Sequence, residues 1–173
     1  GYSMKEIKKY IESIPEKYHK NLIIHKYIDL YTDYKLKGIH FSHYNRILVD
    51  EFDEVNIQKS MSTHSLNELV NLKKFDYVFL SPVFNSISKH GYNSMFSPEE
   101  ITDFLKRNPL NTKVIALGGI SAENIETALL MGFDGAAVMG ALWNIYFEKQ
   151  NIDNAINYFK ELNRKCQQFV RTF

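Results

Sequence analysis

The sequence has little cysteine, no excess of charge of either sign and no long apolar run, and each absence excludes a class of protein. Its only cysteine, Cys166, excludes an internal disulfide framework and a CxxC-type zinc site. Lys and Arg number 21 against 20 Asp and Glu, so no net field attracts nucleic acid or a membrane surface. No apolar segment reaches membrane-spanning length, and no signal peptide is visible. We therefore expect a cytoplasmic protein that is a single domain over residues 1–173.

Short apolar runs alternate with helical patterns along most of the chain. The runs predict six strands, at about 22–25, 38–42, 59–62, 77–83, 113–117 and 135–139. Helical spacing is found over residues 1–14, 28–34, 121–131 and 152–169, whereas Asp50 to Asn56 has the pattern of an irregular connection. The alternation indicates an α/β fold of parallel βαβ units. The pattern alone leaves two arrangements open, a doubly wound sheet and a (β/α)8 barrel that lacks two strands.

Three helix starts are predicted from capping residues. Ser65 with Glu68, and Ser97 with Glu100, have the spacing of a capping box, in which a Ser hydroxyl and a Glu carboxylate satisfy free backbone amides. Pro98 strengthens the second of these, because proline suits the first helical position. Ser121 is the predicted N-cap of the helix that follows the fifth strand.

Glycines end the last two predicted strands and indicate a phosphate site. Gly118 and Gly119 follow the fifth strand, and Gly140 follows the sixth. Glycine lets the backbone approach a ligand closely, and the first amides of a helix carry partial positive charge. In barrels, late neighbouring strands and a following helix N-terminus often hold a phosphate together. The simpler alternative is that the two adjacent glycines only permit a tight turn.

A series of motifs, in order and with appropriate spacing, extends over roughly residues 20 to 145. Its members are Gly38-Ile39-His40, Ser62-Thr63-His64-Ser65, Asp76-Tyr77-Val78, Ser81-Pro82-Val83-Phe84 with Ser86, Ser88 and Lys89, Ala116-Leu117-Gly118-Gly119-Ile120, and Gly135-Ala136-Ala137-Val138. This series resembles the thiamine phosphate synthase (thiamine-phosphate pyrophosphorylase)/TenI family. The resemblance implies a TIM (β/α)8 barrel whose first strand, first helix and second strand are absent from this chain.

The resemblance also implies an activity and a set of binding residues. Synthases of the family couple thiazole phosphate to hydroxymethylpyrimidine pyrophosphate with magnesium, giving thiamine phosphate and pyrophosphate. By the resemblance, thiazole phosphate would contact Ser86, Ser88, Gly119, Met139 and Gly140, and pyrophosphate would contact Lys89, Ser62 and His25. A lysine aimed at the leaving pyrophosphate would stabilise its developing charge. The resemblance makes a homodimer plausible, and the balanced charge of the sequence predicts no nucleic acid or membrane partner.

The chain departs from the family where magnesium would bind. Synthases usually have Asn-Asp-Asp after the third strand and Gln-Glu-Asp after the fourth, whereas this chain has His25-Lys26-Tyr27 and His43-Tyr44-Asn45. The carboxylates that magnesium prefers are therefore missing. Asn45 remains a weak candidate ligand, and Lys26 would replace part of the cation's charge.

The missing carboxylates keep two alternatives to the synthase open. TenI-like proteins tautomerise a thiazole carboxylate phosphate, which needs a proton-transfer group, and His64 lies at the matching place. The other alternative is a protein that binds thiazole phosphate without catalysis. A metal cluster of His25, His40, His43 and His64 is conceivable from their positions, but a hydrogen-bonded structural histidine is the simpler interpretation of His40.

Overall fold

The computed structural model describes residues 1–43, 45–85 and 94–172. Within these ranges the strands are β1 Ile23–Ile24, β2 Gly38–Phe41, β3 Gln58–Thr63, β4 Tyr77–Leu80, β5 Lys113–Leu117 and β6 Gly135–Ala137. The α-helices are α1 Met4–Glu12, α2 Leu30–Asp33, α3 Pro98–Arg107, α4 Ile125–Leu130, α5 Gly140–Lys149 and α6 Ile152–Thr172. Short 3-10 helices cover Glu16–Asn21, Arg46–Phe52 and Leu69–Asn71.

The six strands form a sheet in which spatial order follows chain order, β1-β2-β3-β4-β5-β6. The pairs β1-β2, β2-β3 and β5-β6 are parallel. A doubly wound sheet reverses its strand order at a switch point, whereas a barrel does not. The observed order confirms the α/β fold and removes the doubly wound alternative. A closed eight-stranded barrel remains a prediction.

The chain divides into two compact units, and the first comprises Gly1–Ser62 and Lys74–Tyr77. Strand β2 is buried along its whole length, as expected for a parallel strand covered on both faces. Phe41 is fully buried, and its ring lies 5.8 Å from that of Phe52 and 5.9 Å from that of Phe75. These aromatic contacts form the core of unit 1.

The second unit comprises Thr63–Lys73 and Val78–Phe173. Its largest fully buried side chains include Leu80 and Ile101, from β4 and α3. The capping box predicted at the start of α3 is confirmed: Glu100 N donates to Ser97 Oγ at 3.2 Å, and Ser97 N donates to Glu100 Oε2 at 2.7 Å. This cap fixes the start of the helix that packs Ile101 into the core of unit 2.

A Phe-Asp dipeptide precedes β4 and again precedes β6, with the same bonding each time. The phenylalanine is buried, and the aspartate exchanges two hydrogen bonds with the second residue of the preceding strand. The bonds are Lys59 N to Asp76 Oδ2 (2.6 Å), Asp76 N to Lys59 O (2.9 Å), Val114 N to Asp134 Oδ2 (2.8 Å) and Asp134 N to Val114 O (2.9 Å), beside Phe75 and Phe133. We call each arrangement a Phe-Asp lock, because it fixes the register at the start of a strand.

The helix predicted from Ser65 is wrong, because the expected capping box does not form. Glu68 instead accepts a hydrogen bond from the Thr63 hydroxyl, and Ser65 N donates to Thr63 Oγ1 at 3.1 Å. Only the 3-10 turn Leu69–Asn71 follows. The Thr63 hydroxyl at the end of β3 therefore binds the Glu68 carboxylate that was predicted to cap a helix.

The irregular connection predicted over Asp50 to Asn56 is also partly wrong. The 3-10 helix Arg46–Phe52 covers its first half and buries Val49. Lys74 forms an ion pair with Asp50, and Lys59 lies 3.3 Å from Asp53. Both aspartates contact lysines of the same unit that lie outside this segment. The sequence of the segment alone therefore does not indicate the contacts that order it.

Candidate functional site

The glycine turn after β5 lies at the same edge of unit 2 as the segment after β6. Leu117 pairs with Ala137 in parallel register, so both chains leave the sheet at the same level. Gly118 and Gly119 have positive φ angles of 93° and 66°. The segment after β4 is joined to this turn, since Val83 N donates to Leu117 O at 3.0 Å and Phe84 N to Gly118 O at 3.1 Å.

Gly119 is required by the protein's own backbone. A Cβ atom added to it would lie 2.3 Å from Asn85 O and 2.8 Å from Phe84 C, closer than real Cβ contacts. Its φ angle also falls in the left-handed region that favours glycine. The tight-turn alternative thus has direct structural support, and phosphate binding by the same turn remains a prediction.

The loop after the glycine turn is organised by Asn124 and Ser121. Asn124 Nδ2 donates to Gly119 O at 2.8 Å, and its Oδ1 accepts from Ser121 N at 2.9 Å. Ser121 Oγ donates to Glu123. Ser121 Oγ also accepts from Glu123 N at 3.4 Å, and Ser121 O accepts from Ile125 N at 3.0 Å. Ser121 thus makes the bonds of an N-cap as predicted, but the regular helix α4 begins later, at Ile125.

The segment after β6 leads directly into the ten-residue helix α5. Gly140 is its first residue, and Met139 is exposed, with its carbonyl accepting from Trp143 N at 3.0 Å. The first amides of a helix lack intrahelical acceptors, so they are available to an anion. The β5-β6 register thus brings the predicted residues Gly119, Met139 and Gly140 to one edge of unit 2. The predicted phosphate contacts Ser86 and Ser88, and the predicted pyrophosphate contact Lys89, lie outside the described residues.

His64 follows β3 in unit 2 and is exposed to solvent. Its Nδ1 lies 2.6 Å from the backbone oxygen of Ser81, the residue that follows β4. Since a carbonyl oxygen only accepts hydrogen bonds, Nδ1 carries the proton, and in the neutral ring Nε2 keeps its lone pair. This tautomer gives His64 an accessible basic nitrogen.

His40 is buried in unit 1 between two hydroxyls of the neighbouring strand. Its Nδ1 lies 3.0 Å from Ser60 Oγ and its Nε2 lies 3.1 Å from Ser62 Oγ. The His25 ring packs against it at 4.4 Å between centroids. Burial, with a smaller contribution from charge repulsion by His25, lowers the pKa of His40 to about 4. His40 is therefore neutral near pH 7, in agreement with the prediction of a hydrogen-bonded structural histidine.

The remaining predicted ligands of unit 1 are His25 and Asn45. Burial lowers the pKa of His25, so this ring is a poor source of positive charge at neutral pH. Asn45 Oδ1 accepts from Ser42 N at 2.6 Å and from Ser42 Oγ at 2.8 Å, which uses both of its lone pairs. Asn45 is thus committed to a local turn in the protein as described.

The described residues do not fit a magnesium site held by carboxylates. Over residues 1–43, 45–85 and 94–172, no group of three or more His, Cys, Asp or Glu is arranged to hold a metal ion. Magnesium prefers carboxylate and other hard oxygen ligands. Magnesium use therefore remains a prediction from the family resemblance alone.

Two residues that shape these sites, Ser60 and Asn124, are not among the predicted site residues. Ser60 was not singled out, although it alternates with Ser62 along β3, and side chains two residues apart on a strand share a face. Asn124 was also missed, although Asn side chains often bind nearby backbone groups in turns.

Comparison with known proteins gives consistent matches. A family model described as thiamine monophosphate synthase matches residues 2–142. A thiamine-phosphate synthase of Lysinibacillus sphaericus is 26% identical over 167 residues, which are 95% of this chain and 76% of that protein. The crystal structure of a thiamine phosphate pyrophosphorylase from Bacteroides thetaiotaomicron is 32% identical, with a TM-score of 0.78 over 96% of this chain and 80% of that one.

A more distant likeness supports the fold alone. The thiamine phosphate pyrophosphorylase of Pyrococcus furiosus is 16% identical, with a TM-score of 0.76 over 98% of this chain and 80% of that one. In addition, no helix in the part of the chain that the structure describes is long and apolar enough to span a bilayer.

Proposed function

Because the chain belongs to the thiamine monophosphate synthase family, we propose that it is a transferase of thiamine biosynthesis. It couples thiazole phosphate to hydroxymethylpyrimidine pyrophosphate and releases thiamine phosphate and pyrophosphate. The observation that supports this most is the edge of unit 2, where the Gly118-Gly119 turn and the start of α5 leave paired strands at the same level. Backbone amides at such an edge are suited to a phosphate.

In this proposal thiazole phosphate binds to the backbone of Gly119, Met139 and Gly140 and to the Ser86 and Ser88 hydroxyls. Backbone amides supply hydrogen bonds and partial positive charge without the entropy cost of ordering a long side chain. The chain has nearly equal numbers of acidic and basic residues, so its overall charge contributes little to holding this anion. Affinity for thiazole phosphate then depends on the geometry of the turn.

Pyrophosphate departs with the electron pair of its broken C–O bond, so negative charge grows on it during the reaction. Lys89 stabilises that charge more in the transition state than in the ground state. The Ser62 hydroxyl donates a hydrogen bond to the leaving pyrophosphate. For this, His40 must carry its single proton on Nε2 and accept from Ser60 at Nδ1, an arrangement that the observed distances permit.

The proposal is tested by assaying thiamine phosphate formation from the two substrates, with and without magnesium. We expect product, and a Lys89→Ala variant should lose about tenfold or more of kcat/KM because a charge-assisted contact to the leaving group is removed. Lys106→Ala, at an exposed position of α3, is the matched control and should keep wild-type activity. Full activity of Lys89→Ala would refute the role of that lysine.

Magnesium dependence separates two versions of the synthase. Product that forms only with magnesium would mean that residues other than the usual carboxylates hold the ion. Product without added metal, in the presence of a chelator, would mean that protein cations such as Lys89 and Lys26 carry the charge stabilisation.

A second candidate function, ring isomerisation of a thiazole carboxylate phosphate, is favoured by the accessible Nε2 of His64. We expect His64→Ala to slow isomerisation by about a hundredfold, the usual contribution of a general acid-base group, while thiazole phosphate affinity stays nearly unchanged. Isomer conversion and ligand titration measure the two effects. An equal fall in affinity would make His64 a binding residue instead.

The missing carboxylates also leave a non-catalytic alternative open. In this alternative the protein binds thiazole phosphate and catalyses neither the coupling nor the isomerisation. It predicts measurable binding by titration with no product in either assay. Turnover in one of the assays would exclude it.

A further inference from the structure

Helix α6 contacts the loop that follows the glycine turn, and its two contacts meet on one residue. Ala122 N donates to the Tyr158 hydroxyl at 2.8 Å, and Ala122 O accepts from Lys165 Nζ at 2.7 Å. Tyr158 and Lys165 are two helical turns apart, so they lie on the same face of α6. Ala122 itself is buried. A buried backbone amide and carbonyl need partners, and both partners here come from the C-terminal helix.

The bonds to Ala122 are connected to the glycine turn through Asn124. The Asn124 side chain joins Gly119 O to Ser121 N, at 2.8 and 2.9 Å. Residues 119–124 are therefore held by hydrogen bonds within the loop, from the Asn124 side chain, and by hydrogen bonds from α6. We call the Tyr158 and Lys165 contacts the Ala122 clamp.

Other bonds hold the two ends of this loop: Gly118 O accepts from Phe84 N at 3.1 Å, and Ser121 O accepts from Ile125 N at 3.0 Å. Helix α4 has six residues, and Asn124 at its start makes no side-chain cap bond to it. Ser121 supplies the side-chain bond instead, since its Oγ accepts from Glu123 N at 3.4 Å. A helix of this length is marginal by itself. The Gly118-Gly119 pair adds freedom, because glycine restricts the backbone least. The Phe84 bond holds the Gly118-Gly119 peptide from the segment after β4, and Asn124 holds the next peptide through Gly119 O. The direction of the Gly119 amide therefore depends on contacts on both sides of the turn.

We propose that Tyr158 and Lys165 are positioning residues of the thiazole phosphate site. They do not touch the ligand; they hold residues 119–124 so that the Gly119 amide keeps the direction needed for phosphate. This inference rests on the proposed function of the glycine edge and assigns a role in substrate affinity to α6.

Two variants remove the clamp with little change of shape. Tyr158→Phe deletes only the hydroxyl, and Lys165→Met keeps the aliphatic chain without the ammonium. We expect each to raise the KM for thiazole phosphate about fivefold, as for the loss of one hydrogen bond, with kcat and the KM for the pyrimidine pyrophosphate within about twofold of wild type. Lys165→Arg keeps a donor and should restore most of the affinity. Tyr146→Phe and Lys160→Met, on α5 and α6, are the matched controls.

Amide hydrogen exchange provides a readout that needs no ligand. The Ala122 amide should exchange about tenfold faster in Tyr158→Phe than in wild type, because its acceptor is gone, and should be unchanged in Lys160→Met. Unchanged Ala122 exchange in Tyr158→Phe, or an equal rise in the KM of both substrates, would overturn the clamp. If the wild-type chain binds no thiazole phosphate, the proposed function fails, whereas Ala122 exchange still decides whether α6 holds the loop.

Discussion

Gly119→Ala is expected to abolish thiazole phosphate binding and to lower the free energy of unfolding by about 4 kcal/mol. The φ angle of 66° costs an alanine about 1–2 kcal/mol. The larger part arises because the new methyl group would lie 2.3 Å from Asn85 O, so the turn or the segment after β4 must move. Either movement redirects the Gly119 amide. Urea denaturation measures the stability, and isothermal titration with thiazole phosphate measures the binding.

Gly132→Ala is the matched control for this variant. Gly132 also has a positive φ, of 100°, but its added Cβ would come no closer than 3.6 Å to the Leu105 side chain. It therefore carries only the backbone strain, about 1–3 kcal/mol, and binding should remain at the wild-type level. If Gly119→Ala is destabilised while thiazole phosphate binding is retained, the glycines serve the turn alone and the phosphate site lies elsewhere.

Acidification is expected to remove about 3 kcal/mol of stability through His40 alone. The ordinary pKa of histidine is 6.5, and burial lowers the pKa of folded His40 to about 4. Between these values the unfolded chain binds a proton that the folded chain does not. This contribution to stability is therefore complete above about pH 6.5, declines as the pH falls through this window and is lost below about pH 4. The lowered pKa of His25 acts in the same direction.

A variant comparison separates this effect from the titration of carboxylates. Urea denaturation of wild type and His40→Gln is measured at pH 7 and pH 5. Glutamine keeps a hydrogen-bonding side chain but does not titrate, so the variant should lose about 2 kcal/mol less than wild type on going from pH 7 to pH 5. An equal loss in both proteins would contradict the assignment of acid sensitivity to His40.

Some elements of the fold could be predicted from local sequence, and one contrast shows why others could not. Ser97 and Glu100 form a capping box as predicted, with Pro98 at the first helical position. Ser65 and Glu68 have the same spacing, but the Thr63 hydroxyl at the end of β3 binds the Glu68 carboxylate instead. Capping patterns predict a helix start only where the neighbouring strand end offers no better partner.

The candidate site was predictable where chain order alone decides proximity. Gly119 and Gly140 follow consecutive parallel strands, and the carboxyl ends of such strands meet at one edge. The partners of His40 depend instead on the β2-β3 register, which places it opposite Ser60 and which the sequence does not state. The Ala122 clamp joins residues 36 and 43 positions apart, and nothing in the local pattern indicates those contacts.

The Phe-Asp locks have a consequence for how this chain could be altered. Both locks act where strands begin, whereas the glycine turn and the start of α5 lie where strands end. Strand alignment and ligand chemistry are therefore assigned to opposite ends of the same strands. Loops at the carboxyl ends could be exchanged for others, in length and in charge, while the locks keep β3-β4 and β5-β6 aligned. Each locked strand pair is a natural module for recombination, in which new specificity would be introduced without redesigning the sheet.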